Sequence, residues 1–133
     1  MSVKGEFARS AYVATVQVVR TTWLDESRRP ARLHGHLMLG SIPGGFDPYS
    51  GANYKARVLK LYKGKPAKFL TVFSENTEAR TPLKTGAKYL VFLERQTVGD
   101  EDRRVGDLMI DYCGNSTTFA KSKTVISSFP RRH

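Results

Sequence analysis

The chain has three histidines and one cysteine, the residue types that most often bind zinc together with carboxylates. His34 and His36 lie two apart, which places both imidazoles on one face of a strand. Two histidines with a third donor suit zinc or copper. No cysteine or carboxylate stands within metal-site spacing of them. Exposed loop histidines are the better interpretation, so we predict no metal site.

Residues that could attack a substrate are equally sparse. The sequence has no Gly-x-Ser-x-Gly, no P-loop and no Gly-x-Gly-x-x-Gly. The segment 47–51 lacks the alternating carboxylates of a calcium loop and predicts a turn. The acidic clusters at 75–78 and 100–102 have loop composition, which is typical of solvated surface. We therefore predict a protein that is not an enzyme and uses no cofactor.

Cys113 is the only cysteine in the chain. It follows an apolar strand, a position typical of a structural thiol. We predict that it is partly or wholly buried and forms no disulfide within the chain. A redox thiol is the alternative, and it would need exposure and nearby cations to lower its pKa.

The chain of 133 residues carries 22 Lys and Arg against 12 Asp and Glu, a formal net charge of +10. Such an excess attracts nucleic acid, anionic lipid or an acidic protein, although clusters of basic residues at turns also keep a surface soluble. No run approaches the roughly 20 apolar residues of a membrane span, and no signal-peptide core is visible. The length and aromatic content suit one domain over residues 1–133.

Strand propensity and apolar alternation predict a mainly β fold. A change of phase between Val58 and Leu59 indicates a β-bulge that turns Leu59 and Leu61 inward. Apolar spacing predicts a C-terminal helix near 117–128, and the Gly- and Pro-rich segment 25–53 predicts a long first connection with an extra short strand at 33–39. The five principal strands are predicted at 11–24, 54–62, 68–74, 87–95 and 107–113.

This pattern favours a five-stranded OB-like Greek-key barrel over a two-sheet sandwich, whose strands would be more evenly spaced. The predicted barrel interior consists of apolar residues from all five strands: Val16, Val18, Val58, Leu70, Val72, Leu90, Phe92 and Ile110.

Three motifs carry a family resemblance. They are the turn Lys63-Gly64, the run Leu83-x-x-Gly86-x-x-Tyr-Leu-Val-Phe, and Cys113-Gly-Asn-Ser. In this order they resemble the domains of tissue inhibitors of metalloproteinases and netrins (TIMP/NTR), and bacterial members most of all. The resemblance implies an OB barrel with flanking helices and a periplasmic or extracellular protein whose leader is absent from this sequence.

The departures from that family bear on function. Its inhibitors chelate the protease zinc through an N-terminal cysteine, whereas no cysteine precedes Cys113 here. Arg80 and Thr81 stand where relatives carry another cysteine. Inhibition by that route is excluded for the chain as given, and either a partner cysteine was removed upstream or the thiol stays free.

Two functions remain open. The leading one is a non-catalytic, exported protein-interaction domain with an unknown partner. The alternative is single-stranded nucleic-acid binding by strands two and three and the loops beside them. Four carboxylates reduce the positive charge of the fourth loop: Asp100, Glu101, Asp102 and Asp107. The rings that would stack on bases are Tyr54, Tyr62, Trp23, Phe46 and Tyr49, and those on the strands are equally suited to a core. The predicted surface for either partner is Arg28, Arg29, Arg32, Tyr54, Lys55, Arg57, Arg103 and Arg104.

Overall fold

A computed structural model describes most of the chain, in ranges separated by short gaps and one longer gap. The described residues are 1–25, 27–30, 32–33, 36–37, 51–75, 83–99, 103–111 and 113–130.

Strands make up most of the regular structure in these ranges. The strands are β1 (Tyr12–Leu24), β2 (Arg32–Leu33), β3 (His36–Leu37), β4 (Gly51–Lys63), β5 (Phe69–Glu75), β6 (Lys88–Arg95), β7 (Leu108–Ile110) and β8 (Thr117–Thr118). The helices are α1 (Val3–Arg9), a 3₁₀ turn (Phe119–Lys121) and α2 (Ser122–Ile126). The described helices include none that is long and apolar enough to cross a membrane.

Six strands form one antiparallel sheet in the order β5-β4-β1-β6-β7, with β8 paired to the start of β6. The central strand β1 pairs with β4 along nearly all its length and with β6 over residues 12–17. The mainly β prediction is confirmed, and all five predicted strands belong to this sheet. Four of them match within a few residues, whereas β7 covers only Leu108–Ile110 of the predicted 107–113. The extra strand expected at 33–39 is the short β2–β3 ribbon.

The predicted β-bulge is confirmed, but its direction is partly wrong. The register of β1 and β4 shifts between the pairs Thr15–Lys60 and Val16–Val58, which leaves Leu59 without a partner. Val58 and Leu61 pack against the larger core cluster, whereas Leu59 is 45% exposed. The bulge therefore removes Leu59 from the alternation and leaves it on the surface.

The core has two main parts because β6 is apolar on both faces. Val91 and Leu93 join the larger cluster with predicted core residues of β1, β5 and β7, namely Val16, Val18, Leu70, Val72 and Ile110. Leu90 and Phe92 lie on the other face with Val13. The prediction that Leu90 and Phe92 share the interior of the first group is wrong, since successive strand residues point to opposite faces.

The two terminal helices cover this second face. Phe129, just after α2, contacts the rings of Phe7, Tyr62 and Phe92 at centroid distances of 5.0, 5.0 and 5.8 Å. The C-terminal helix is shorter than the predicted 117–128, because residues 117–118 pair with Tyr89 and Leu90 instead. Tertiary pairing thus overrides the helical spacing at the start of that segment.

Candidate binding surface

The outer side of β1, β4 and β5 carries an exposed cluster of basic residues. The register places Arg20 opposite Lys55 and Lys55 opposite Thr71, and it places Arg57 opposite Phe69. Residues opposite one another share a face of the sheet, and all five are exposed. We call these residues, Arg20, Lys55, Arg57, Phe69 and Thr71, the cationic face.

The alternation of β4 and β5 explains why the face forms. Tyr54 and Ala56 are buried in the larger cluster together with Leu70 and Val72 opposite them. Because the side-chain period of a strand is two, the residues between them must point outward. The charged residues Lys55 and Arg57 fall at these outward positions of β4.

Phe69 positions the two cations of β4. Its ring is 4.4 Å from Lys55 Nζ and 5.9 Å from Arg57 Cζ, measured to the ring centroid. Both distances lie within the range of cation–π attraction, and Phe69 remains 40% exposed. The face therefore presents an accessible aromatic ring beside two positive charges.

The hairpin that carries this face contains no negative charge before its last residue, Glu75. Residues 48–74 include six basic residues and not one Asp or Glu. Lys63 has hydrogen-bond partners within the fold: its Nζ donates to the carbonyl oxygens of Phe7 and Ala8 at the end of α1, 2.8 Å from each. Among the described residues, Lys55 and Arg57 form no ion pair, because all three salt bridges found there involve other arginines.

Arg28 lies away from this face and is held by a carboxylate. Its guanidinium donates two hydrogen bonds to Asp107, at 3.0 and 2.7 Å, and stacks 3.6 Å above the ring of Phe73. Both charged side chains of the pair are only about 15% exposed. The loop is shaped by Asp25, whose Oδ1 accepts the N–H groups of Ser27 and Arg29.

Asp107 titrates as a paired carboxylate. Burial by itself would raise its pKa, but the hydrogen bonds from Arg28 and the Arg104 N–H, together with both positive charges, outweigh burial. The pKa of Asp107 is therefore lowered from its ordinary value of 3.8. Arg28 acts as the partner of a folded-state anion, not as a free cation.

Arg103 is held in the same way. Its guanidinium donates to both carboxylate oxygens of Glu75, at 3.2 and 2.7 Å, and to Gln96 at 3.4 Å. Glu75 is buried, whereas the Arg103 side chain is 36% exposed. We call the pairs Arg28–Asp107 and Arg103–Glu75 the paired end of the sheet.

The eight predicted surface residues thus separate into groups. Lys55 and Arg57 lie together on the cationic face, and Arg28 and Arg103 belong to the paired end. Tyr54 is 2% exposed and forms part of the core, so its prediction as a surface residue is wrong. Arg29 and Arg104 are exposed in the loops beside the paired end. The Arg32 side chain lies outside the described residues.

The other residues considered for binding have mixed outcomes. Trp23 is buried and Tyr62 packs against Phe129, so neither offers an open ring. The loop with Phe46, the segment 47–50 and His34 lie outside the described ranges, as do the His36 side chain and the carboxylates at 100–102. Sequence reasoning missed Arg20 and Phe69. Pairing β5 with β4 across the turn at 64–68 would have placed Phe69 beside Arg57 on the outer face.

A cavity of about 160 Å³ beside the paired end has the opposite charge character. Three carboxylates line it, from Glu75, Glu94 and Asp111, with Arg103 as the one basic residue. No group of histidine, cysteine and carboxylate side chains in the described ranges is arranged to hold a metal ion. Charge is therefore segregated, with unpaired cations on the outer side of the sheet and carboxylates at its end.

Glu6 is a fully buried carboxylate that ties α1 to the turn after β7. Its Oε1 accepts the backbone N–H of Asn115 at 2.6 Å and the side-chain amide at 3.1 Å. Among the described residues, its Oε2 has no hydrogen-bond partner. Burial raises the pKa of Glu6, and the negative charges of Asp111 and Glu94 add to the rise against the Asn115 hydrogen bonds.

Cys113 lies in that same turn and is exposed. The prediction of a buried thiol is wrong because β7 ends at Ile110 and the chain then turns, with the Cys113 N–H donating to Asp111 Oδ1 at 2.9 Å. The apolar strand stops too early to carry the cysteine into the core.

No family model matches the chain, and no curated protein matches its sequence. The properties of the surface are therefore the evidence for function. An ordered set of exposed cations around an aromatic ring can attract, orient and hold an anionic partner.

Proposed function

We propose that this protein is a non-catalytic protein-interaction domain that binds an acidic segment of a partner protein on its cationic face. The observation that carries the proposal is the state of Lys55 and Arg57. Both are exposed, held beside Phe69, and without a carboxylate partner in the described structure. An anionic partner would supply the missing charge.

The strand order supports a barrel scaffold for this function. The order β5-β4-β1-β6 places β6 beside β1 and so has the arrangement of a Greek key. Strands β5 and β7, at the two ends of the sheet, lie in contact. We propose that this contact completes an OB-like barrel, on which loops and outer faces serve for binding.

The family motifs fall at structural turns, which supports the proposed TIMP/NTR relationship. Gly64 and Gly86 have φ values of +115° and +90° in the turns after β4 and before β6. Glycine is the residue that adopts such values without strain. An exported protein, periplasmic or extracellular, follows from this relationship as part of the proposal.

Charge accounts for both the attraction and its expected limits. Exposed ion pairs contribute about 0.2–1 kcal/mol each, so a single contact would not hold a partner. Arg20, Lys55 and Arg57 together can align with several carboxylates of one segment. Such binding associates rapidly and weakens as salt concentration rises.

Single-stranded nucleic acid is the second candidate, and Phe69 is the observation that favours it. An exposed ring between Lys55 and Arg57 can stack on a base while the cations meet phosphates. Among the other rings considered for stacking, Tyr54 and Trp23 are buried. One ring stacks on one base only, so the described surface fits an acidic protein segment better.

The test is a titration of the full chain with two labelled ligands of equal negative charge, a Glu-rich peptide and an oligothymidine, at low and physiological salt. We expect the peptide to bind and the affinity to fall as salt rises. The double variant Lys55→Glu/Arg57→Glu should lose about tenfold or more in affinity, which corresponds to about 1.4 kcal/mol.

Lys121→Glu/Lys123→Glu is the matched control, since it changes net charge equally at exposed positions near α2. It should retain peptide affinity within about twofold if the face and not overall charge is responsible. Tighter binding of the oligothymidine would favour the nucleic-acid function. Absence of binding by both ligands at low salt would contradict the proposal.

A further inference from the structure

Strand β5 forms one end of the six-stranded sheet. It pairs with β4 from Gly51 to Arg57, and in the described part of the chain no strand pairs with its other side. An edge of this kind offers backbone N–H and C=O groups that can pair with another extended chain.

The ladder shows which groups of β5 face outward. The Val58 N–H donates to the Lys68 carbonyl at 2.9 Å, and the β4–β5 register continues without a shift. In an antiparallel ladder, successive residues alternate between bonding the partner strand and facing away from it. Leu70 and Val72 therefore bond to β4, while the N–H and C=O groups of Phe69 and Thr71 face the outer edge.

The accessible part of this edge is short and well defined. Phe69 and Thr71 are exposed, whereas the next outward-facing residues, Phe73 and Glu75, are buried. Phe73 packs with Met109 of β7, and Glu75 is bound by Arg103. In the part of the chain that the structure describes, the open edge of β5 therefore runs from Phe69 to Thr71.

This edge adjoins the cationic face. A strand added beside β5 would lie about 4.8 Å away, with every second side chain on the same side of the sheet as Phe69 and Lys55. Carboxylates at those alternate positions would approach the basic residues of the hairpin. An extended acidic segment can thus form hydrogen bonds with the open backbone groups of β5 and place its carboxylates near the basic residues at the same time.

The same charges oppose pairing of this edge with the identical edge of a second copy of this chain. The residues that precede β5 are Lys65, Pro66 and Lys68, and lysine and proline near an edge discourage pairing between like strands. Two such hairpins would bring six positive charges each into contact with no carboxylate between them. Repulsion of this kind selects an acidic partner.

We infer that the acidic partner segment binds in an extended conformation, by adding a strand to β5 along Phe69–Thr71 with its carboxylates at alternate positions toward Lys55 and Arg57. This inference rests on the proposed function. It adds the conformation of the partner and the backbone groups that hold it.

Thr71→Pro is the direct test. Proline removes the outward N–H of Thr71 but none of the β4 ladder, and edge strands tolerate it when the N–H faces solvent. We expect the full-length variant to bind a peptide of alternating Glu and Val about tenfold more weakly than wild type, through loss of the hydrogen bond and steric exclusion of the added strand. Thr71→Ala keeps the N–H and should bind within about twofold.

Amide hydrogen exchange of the wild-type chain gives a second measurement that does not depend on the folding of the proline variant. Saturating peptide should slow exchange at Phe69 and Thr71, and unchanged exchange there would overturn the inference. If Thr71→Pro binds like wild type while Lys55→Glu/Arg57→Glu does not, the strand addition is wrong and the proposed function stands. If wild type does not bind the peptide, the proposed function itself fails.

Discussion

The cationic face and the paired end use the same residue type in opposite ways. Arg57 projects from a strand within residues 48–74, a segment that contains no carboxylate, and it stays exposed beside Phe69. Arg28 projects from a loop and meets Asp107, 79 residues away in sequence. A cluster of arginines in the sequence therefore indicates a binding surface only if folding does not bring a carboxylate into contact with them.

The largest difference between the two regions should appear in stability. Arg28→Ala leaves Asp107 partly buried without its guanidinium and uncovers Phe73, so we expect the free energy of unfolding to fall by about 3 kcal/mol. Arg57→Ala removes an exposed side chain and should cost less than about 0.5 kcal/mol. Urea denaturation of both variants measures the difference, and equal losses would refute the distinction.

Arg103→Ala should have an intermediate effect. Glu75 is buried, and removal of its partner leaves a charge with poor solvation. The Arg103 side chain is 36% exposed, so water can partly replace it, and we expect a loss of about 2 kcal/mol. Thermal unfolding measures this loss. The double variant Arg103→Ala/Glu75→Gln should recover part of it, and a double variant less stable than Arg103→Ala would count against the charge explanation.

Glu6 extends the comparison to a buried carboxylate without a cation. Its folded-state pKa is raised above the ordinary 4.5, so the folded state binds the proton more tightly than the unfolded state. Its contribution to stability is present below about pH 4.5 and declines as pH rises through the folded pKa. Glu6→Gln should therefore gain stability relative to wild type as pH rises above that range.

The contribution of Asp107 to the free energy of unfolding depends on pH in the opposite direction to that of Glu6. Its pKa is lowered below 3.8, so its contribution is present above that pH and is lost as pH falls through the folded pKa. The loss in free energy of unfolding caused by Asp107→Asn, relative to wild type, should become smaller at acidic pH. Denaturation curves across acidic and neutral pH test both slopes, and parallel pH profiles for the two variants and wild type would contradict this account.

The smallest expected effect concerns Phe69. Phe69→Leu keeps apolar bulk but removes the ring that holds Lys55 and Arg57, an interaction of about 0.5–1 kcal/mol at exposed sites. We expect peptide affinity to fall about threefold with little change in stability. Phe119→Leu, at an exposed ring distant in sequence from the hairpin, is the control. An equal loss of affinity in both variants would show that the ring of Phe69 has no special role.

Strand propensity and alternation were enough to locate β1, β4, β5 and β6 within a few residues, since these segments contain β-branched and aromatic residues in a regular period. The bulge at Leu59 was also visible as a change of phase. Alternation did not separate the faces of β6, because Leu90, Val91, Phe92 and Leu93 are all apolar and all buried. A strand without alternating polar and apolar residues gives no indication of which side chains point to which face.

The candidate surface shows where prediction from sequence ends. Lys55 and Arg57 are both exposed on one face, as their spacing of two on a single strand predicts. The carboxylates that hold Arg28 and Arg103, Asp107 and Glu75, are distant in sequence, so no local pattern predicts these pairs. Cys113 was misjudged because the end of β7 depends on the turn that Asp111 forms.

The sequence by itself determined the strands and the absence of carboxylates from residues 48–74, because local conformational preference and composition do not depend on distant residues. Tertiary structure alone decided which arginines remain available and which face of β6 meets the terminal helices. It also decided that the edge of β5 is open only from Phe69 to Thr71. These properties depend on contacts between residues far apart in the chain, and such contacts exist only once the sheet has formed.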